Sequence, residues 1–171
     1  GVLSIASCLR SHENNFVTEI CDANLSGETW FSSDGKQYLG DKPADIRKRI
    51  NDFRPDVVGI SNMFTWQIDQ ALFVANICKE ISQDIITVIG GPHVSSFPLE
   101  SIREKDIDYV VMGEGEIRFP KLVNALALGE QPKIQGVIHE ESDLSLLKPS
   151  KRSPISFIPQ LDELPIPAYD M

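Results

Sequence analysis

Two adjacent glycines, Gly90 and Gly91, follow a largely apolar run at residues 85–89. Of all the features of the sequence, this junction restricts the possible folds most. The run has the composition of a buried parallel strand. Glycine at the carboxyl end of such a strand lets a ligand lie against bare backbone, and open α/β sheets bind their ligands at that edge. The junction therefore predicts a ligand site at the end of a strand.

Two other segments repeat this layout. Residues 55–60 run into Ser61, and residues 108–112 run into Gly113. Strand starts near 57, 85 and 109 give a repeat of about 25 residues, which is typical of a doubly wound parallel sheet with right-handed crossovers. We therefore expect Ser61, Gly90 and Gly113 to converge at one edge of an α/β fold.

The remaining pattern predicts the elements around this sheet. Gly1 already looks helical, so no strand precedes the first helix. Proline recurs after residue 148, which rules out long regular elements there. The other predicted elements are a strand at 16–22, a polar connection at 23–40, helices starting near 41–43 and spanning 65–81 and 119–128, a short helix within 99–105, and a further strand or edge hairpin at 134–139.

Composition excludes several classes of protein. The chain has 171 residues and a formal net charge of −9, with no basic cluster longer than residues 47–49, so nucleic acid is not an expected partner. No apolar run approaches the roughly 20 residues that cross a bilayer. Cys8, Cys21 and Cys78 lie far apart without metal-site spacing, which favours a reducing cytoplasm.

The spacing between two of the strand ends is specific. Ser61-Asn62-Met63 is separated from Gly90-Gly91 by 26 residues. This resembles cobalamin-binding domains of the methionine-synthase and mutase type, with Met63 where that pattern has leucine. The resemblance implies that the serine hydrogen-bonds the nucleotide tail of the cofactor and that the glycines leave room for it. A strand-to-helix turn with a serine cap is the alternative.

The Asp-x-His-x-x-Gly element of that family is absent, since His12, His93 and His139 all lack its context. That element follows the first strand of the family, which we expect to be missing from this chain. A closer resemblance, over residues 16–24, 55–61, 88–93 and 108–116, is to the N-terminal cobalamin-binding domain of radical SAM enzymes. That group includes methyltransferases and the anaerobic magnesium-protoporphyrin monomethyl ester cyclases.

This second resemblance implies a Rossmann-like domain that holds cobalamin with its tail base detached and without a histidine ligand. The partner would be the radical SAM barrel of the same parent chain, with a [4Fe-4S] cluster and S-adenosylmethionine. No Cys-x-x-x-Cys-x-x-Cys motif occurs in these 171 residues, so we expect no turnover from them alone. We expect a cobalamin-binding domain at 1–130, and an edge strand with a proline-rich strap or linker at 131–171.

The predicted cofactor-binding residues follow from the strand ends and the resemblance, and none is predicted to be catalytic or to bind metal. They are Asp22, Ser61, Met63, Thr65, Gly90, Gly91, Pro92, His93, Gly113, Glu114, Gly115 and Glu116.

Several of these residues, and the neighbouring Phe64 and Trp66, can be interpreted in two ways. His93 can touch the ligand or bond nearby backbone, and Asp22 can cap its loop or contact the rim. Glu114 and Glu116 can satisfy unpaired N–H groups at a helix start or bind corrin amides. Phe64 and Trp66 can pack against a helix or cover a corrin face.

Three other functions are weighed against cobalamin binding. A dinucleotide-binding domain needs Gly-x-Gly-x-x-Gly in the first strand–helix turn, whereas Gly113-x-Gly115 comes late and lacks the third glycine. A phosphorelay receiver needs an acidic cluster and a late lysine that the sequence does not provide. A degenerate domain that keeps the fold without the vitamin, as an interaction module, is left open.

Overall fold

A four-stranded sheet forms the centre of the fold. The computed structural model describes residues 1–11, 16–32, 35–140, 158 and 160–171. In chain order its helices and strands are α1 (Val2–Arg10), β1 (Thr29–Phe31), β2 (Gln37–Leu39), α2 (Pro43–Phe53), β3 (Val57–Ser61), α3 (Ile68–Ile81), β4 (Ile86–Gly90), α4 (Pro92–Ser96), α5 (Pro98–Ile102), β5 (Tyr109–Val111), α6 (Gly115–Ala127) and β6 (Val137–Ile138).

Strands β3, β4 and β5 are parallel, and β6 pairs antiparallel with β5. The register places Ser61 beside Gly90 and Gly90 beside Val111. Helices lie on both faces of the sheet. The apolar residues of the strands therefore alternate between two separate cores, one on each face. The predicted α/β class with a parallel sheet flanked by helices is confirmed.

The two cores use opposite faces of the same strands. Ile89 and Val110 face α3, α4 and α5, where Ala75 and Val94 are fully buried. Val88 and Val111 face α6, where they meet Leu122. Strands buried on both faces read as continuous apolar runs, which is why the sequence pattern located β4 and β5 correctly.

Helix α1 packs against α6 rather than against the sheet alone. A Cβ on Gly115 would lie 2.7 Å from Cδ1 of Ile5, so glycine permits the close approach of the two helices. Helix α6 begins at Gly115, four residues before the predicted start at 119.

An ion pair between buried Lys79 and half-buried Asp108 ties the amino ends of the strands together. Nζ of Lys79, whose side chain is 9% exposed, lies 2.6 Å from Oδ2 of Asp108 and donates to the carbonyl of Ile85 at 2.7 Å. The same carboxylate oxygen accepts the backbone N–H of Thr87 at 2.7 Å. Helix α3 is thereby fixed to β4 and to the residue that precedes β5.

The C-terminal segment returns to α1. Oγ of Ser7 donates to the carbonyl of Ile166 at 2.6 Å, and the N–H of Ala168 donates to the carbonyl of Leu3 at 3.1 Å. Arg10 pairs with Asp170 at 2.9 Å. The predicted strap thus contacts α1 at residues 166–170, while Pro149, Pro154 and Pro159 lie outside the described residues.

Three local predictions are wrong. Residues 16–22 form no strand, and they pair with none of the strands in the described sheets, although β3 leaves one edge unpaired. The connection at 23–40 contains a hairpin, β1–β2, held by stacking of Trp30 on Tyr38 with ring centroids 4.6 Å apart. Helix α4 starts directly after Gly91, where the sequence had suggested a loop. Among the described helices, none is long and apolar enough to span a bilayer.

Replacing Asp108 with alanine should destabilise the fold by about 2 kcal/mol, because the Lys79 ammonium stays buried without its carboxylate. Urea unfolding followed by circular dichroism measures the change. Lys48→Ala, which removes a fully exposed pair with Asp52, is the matched control and should leave the midpoint unchanged. Equal midpoints for the Asp108 variant and the parent would contradict the role given to this pair.

Candidate functional site

The three strand ends converge at one edge, as predicted. The backbone N–H of Asn62 donates to the carbonyl of Gly90 at 2.8 Å, so the β3–β4 pairing continues one residue past Ser61. Gly59 and Ser61 both face the side of the sheet that α6 covers, because residues two apart in a strand point the same way. Gly90 is in register with Ser61 and faces the same side. Small side chains therefore leave this corner of the sheet bare.

The two glycines have different roles. Gly91 has a φ of 113°, and a Cβ there would overlap the carbonyl oxygen of Asn62, so the backbone itself requires glycine. Gly90 has ordinary strand geometry, and its Cβ would lie 3.3 Å from the carbonyl oxygen of Val111. Gly90 is therefore the position whose missing side chain leaves space beside Ser61.

One face of this corner is already partly filled. A Cβ on Gly59 would lie 2.8 Å from Cζ of Phe119 on α6, so the phenyl ring occupies the space beside that glycine, which is itself exposed. The open part of the corner thus lies toward Ser61, which is exposed, and Gly90, which is half-buried.

His93 is held by neighbours on the protein. Its Nδ1 lies 3.1 Å from Oγ1 of Thr65, and its ring packs against Phe97 with centroids 5.1 Å apart. The imidazole thus links the loop after β3 to helix α4. Pro92 occupies the first turn of α4, where its fixed φ suits a helix start.

A serine that the sequence did not single out connects the loops after β4 and β5. Oγ of Ser95 donates to the carbonyl of Gly91 at 2.9 Å and accepts the N–H of Gly113 at 2.8 Å. Because this contact joins two loops 18 residues apart, no local pattern could have revealed it. It fixes Gly113, whose φ is 70°, against the turn that follows β4.

The acidic loop after β5 makes contacts within the protein. The Glu114 carboxylate accepts the backbone N–H of Ile158 at 2.6 Å, and Glu116 lies 3.2 Å from the amino group of Gly1. Glu114 makes no side-chain capping bond at the start of α6, so the capping interpretation is wrong for this residue. Glu116 in the first turn of α6 still complements the helix dipole.

Asn62 is the second residue that sequence reasoning missed. It is 2% exposed, and its Nδ2 donates to the carbonyl of Phe64 at 3.3 Å. Its Oδ1 is buried and has no hydrogen-bond partner within the described parts of the chain. A buried acceptor without a partner costs about 1–3 kcal/mol, so this strand end carries an unmet polar group.

The remaining predicted residues lie at the periphery. Asp22 accepts the N–H of Asn24 at 3.0 Å, which supports its reading as a loop cap. Met63, which occupies the leucine position of the cobalamin-binding pattern, is 59% exposed. Phe64 and Trp66 are 50% and 71% exposed, so their interpretation as helix-packing residues is wrong.

The cysteines provide no reactive or metal-binding group at this edge. Burial raises the pKa of Cys78 to about 11, and burial is also the main cause that raises the pKa of Cys8 and of Cys21. Within the described ranges, no three His, Cys, Asp or Glu side chains come together as a metal site. The chemistry available at the strand ends is therefore hydrogen bonding and apolar contact with a ligand.

The fold is an α/β domain with a parallel sheet, a class of fold in which ligands bind at the carboxyl edge of the strands. The family model for the B12 binding domain matches residues 1–123. This chain therefore belongs to the B12-binding domain family.

Curated relatives share this part of the chain. An uncharacterized methyltransferase of Pyrococcus horikoshii is 42% identical over 130 residues, which are 75% of this chain and 27% of the relative. The anaerobic magnesium-protoporphyrin IX monomethyl ester cyclase of Rubrivivax gelatinosus is 30% identical over 115 residues (64% and 20%). The cobalamin-dependent radical SAM methyltransferase TokK of Streptomyces tokunonensis is 32% identical over 84 residues (48% and 12%). The chain thus spans about a quarter or less of these relatives.

The different backbone requirements at Gly90 and Gly91 can be tested by measuring the stability of alanine variants at the two positions. Gly91→Ala should destabilise the fold by more than about 1 kcal/mol, because its φ and the contact with Asn62 exclude a side chain. Gly90→Ala, the matched control, should cost clearly less because only the Val111 carbonyl must shift slightly. Thermal unfolding of both variants measures the difference. A Gly91 variant as stable as the Gly90 variant would show that the turn after β4 can relax.

Proposed function

We propose that this domain holds cobalamin over the strand ends, base-off and without a histidine ligand, for a radical SAM enzyme. The observation that carries the proposal is the bare corner formed by Ser61 and Gly90 in a chain of the B12-binding family. The Ser61 hydroxyl would bond the nucleotide tail of the cofactor, and Gly90 would leave room for it. When bound, cobalamin would supply cobalt chemistry for methyl transfer or a related radical reaction.

The residues present fit this cofactor. The corrin periphery carries amide N–H donors, and the buried Oδ1 of Asn62 is an acceptor without a partner in the described structure. The segments at residues 57–68 and 85–99, which comprise β3, β4 and α4 with the loops beside them, carry no Asp, Glu, Lys or Arg, in keeping with a largely neutral macrocycle. Residues 63, 65, 92 and 93 would flank the ring, while Asp22, Gly91 and residues 113–116 would shape the rim.

The sequence context of His93 supports binding without a histidine ligand, because it lacks the Asp-x-His-x-x-Gly element. Nδ1 lies within hydrogen-bond distance of Oγ1 of Thr65, and the ring packs against Phe97. These contacts hold the loop after β3 against helix α4. We therefore assign His93 to positioning the loop after β3.

The wider role rests on the named relatives. TokK is a cobalamin-dependent radical SAM methyltransferase, and two of the three relatives above are methyltransferases. We propose that residues 1–130 form the cobalamin-binding domain of such an enzyme. Residues 131–171 would supply the edge strand and the linker toward a barrel that binds a [4Fe-4S] cluster and S-adenosylmethionine.

The first test is retention of the vitamin. The 171-residue chain is incubated with hydroxocobalamin and desalted, and its visible spectrum is recorded; we expect a corrinoid spectrum at near-equal molar ratio. A colourless protein would favour a degenerate interaction module instead.

Axial ligation is tested separately by electron paramagnetic resonance of the reduced Co(II) form. An axial nitrogen splits the high-field cobalt lines into triplets, whereas we expect no triplets in the parent or in His93→Ala. Triplets that disappear in His93→Ala would identify His93 as a cobalt ligand and overturn base-off, His-off binding.

Ser61→Ala tests the tail contact. The variant should lose one hydrogen bond, about 0.5–1.5 kcal/mol of binding free energy, with unfolding unchanged because Ser61 is exposed. The dissociation constant for hydroxocobalamin is measured by equilibrium dialysis. Ser96→Ala is the matched control, since that exposed hydroxyl bonds only its own helix at the carbonyl of Pro92 among the described contacts. Equal affinity of the Ser61 variant and the parent would remove Ser61 from the site.

A further inference from the structure

The C-terminal segment that follows residue 157 is anchored to the rest of the domain at two places. Residues 166–170 contact α1 through two hydrogen bonds and an ion pair, and Ala168 is packed there with an exposed fraction of 3%. At the second place, the backbone N–H of Ile158 donates to Oε2 of Glu114 at 2.6 Å. The described part of the segment contains one short helical turn, so these anchors hold it in position.

The second anchor lies on the loop after β5, at the ligand edge. The buried Arg118 side chain donates to the carbonyl of Glu114 at 3.1 Å and to that of Gln135 at 2.9 Å. Oγ of Ser95 accepts the N–H of Gly113. The loop is therefore held from three sides: by α4 through Ser95, by α6 through Arg118, and by the C-terminal segment through the Glu114 carboxylate.

The anchor on α1 reaches the same loop through the helices. Gly115 is the first residue of α6, and a Cβ there would lie 2.7 Å from Cδ1 of Ile5 on α1. Helix α1 thus lies directly against the start of α6, and a shift of α1 would displace the residues that follow Gly113. Both anchors therefore act on the start of α6, directly after the loop at the ligand edge.

The contact with Ile158 leaves part of the Glu114 carboxylate available to a ligand. Oε2 is bonded to the backbone, whereas Oε1 has no hydrogen bond within the described structure. A carboxylate accepts several hydrogen bonds, so a ligand N–H can bond Oε1 while Oε2 keeps its partner. The docked segment and a bound ligand are therefore compatible, which favours cooperation over competition.

We propose that docking of the C-terminal segment and binding of cobalamin at the strand ends are coupled, each making the other more favourable. The docked segment holds the loop after β5 before the ligand arrives, so binding loses less conformational entropy. By linkage, bound cobalamin strengthens docking by the same factor. This inference rests on the proposed function and goes beyond it, because the C-terminal segment takes part in binding without contacting the cofactor.

The experiment releases the segment at its α1 anchor. Ala168→Glu places a charge where a methyl group is buried, so residues 160–171 of the variant should undergo faster hydrogen exchange, measured by mass spectrometry. Equilibrium dialysis with hydroxocobalamin should then give a dissociation constant about fivefold or more above that of the parent 171-residue chain. In the parent, hydroxocobalamin should slow exchange across the same residues.

Two further variants keep the test specific. Ile166→Glu, the matched control, introduces the same charge at a side chain that is 83% exposed, and it should leave both readouts unchanged. Asp170→Ala removes only the exposed ion pair with Arg10, and it should move both readouts in the same direction by a smaller factor. This variant decides the question if Ala168→Glu lacks a native circular dichroism spectrum.

The outcomes separate the coupling from the proposed function. If the parent does not bind hydroxocobalamin, the proposed function fails and the coupling fails with it. If the parent binds but the released Ala168→Glu variant binds equally well, the coupling is wrong and cofactor binding stands. Unchanged exchange in Ala168→Glu would also overturn the coupling, because the α1 anchor would then not hold the segment. Faster exchange together with weaker binding would support it.

Discussion

The site depends on the parallel pairing of β3 with β4 and on its continuation beyond Ser61. The hydrogen bond from the Asn62 N–H to the Gly90 carbonyl brings the ends of β3 and β4 so close together that only glycine fits at position 91. The chain then enters α4, where His93 contacts Thr65 in the loop after β3 and Ser95 contacts Gly113 in the loop after β5. One backbone contact therefore sets the positions of the loops after β3, β4 and β5.

Local sequence patterns were sufficient where the physics is local. Buried parallel strands must be apolar on both faces, so the runs before Ser61, Gly90 and Gly113 identified β3, β4 and β5 and their common edge. Strand pairing is not local, and this is why 16–22 was misassigned: the segment has strand composition but no neighbour in the described sheet. Helix α4 was missed because Gly-Gly-Pro resembles a turn, although proline also begins helices.

The candidate site was predictable in outline but not in its contacts. Spacing located Ser61 and the glycines, whereas the division of labour between Gly90 and Gly91 required the backbone geometry of both. Ser95 and Asn62 act through partners that no motif places beside them. Glu114 looked like a helix cap, yet its carboxylate holds the backbone of Ile158, which is distant in sequence.

The two ends of the sheet are held by interactions of different strength. At the amino ends, buried Lys79 and half-buried Asp108 form an ion pair that joins a helix and two strands. At the carboxyl ends, hydrogen bonds through Asn62 and Ser95 join the loops. Because local opening costs least where few bonds must break, we expect the carboxyl edge to open more readily than the amino edge. Such opening would admit a bulky ligand between the loops without global unfolding of the domain.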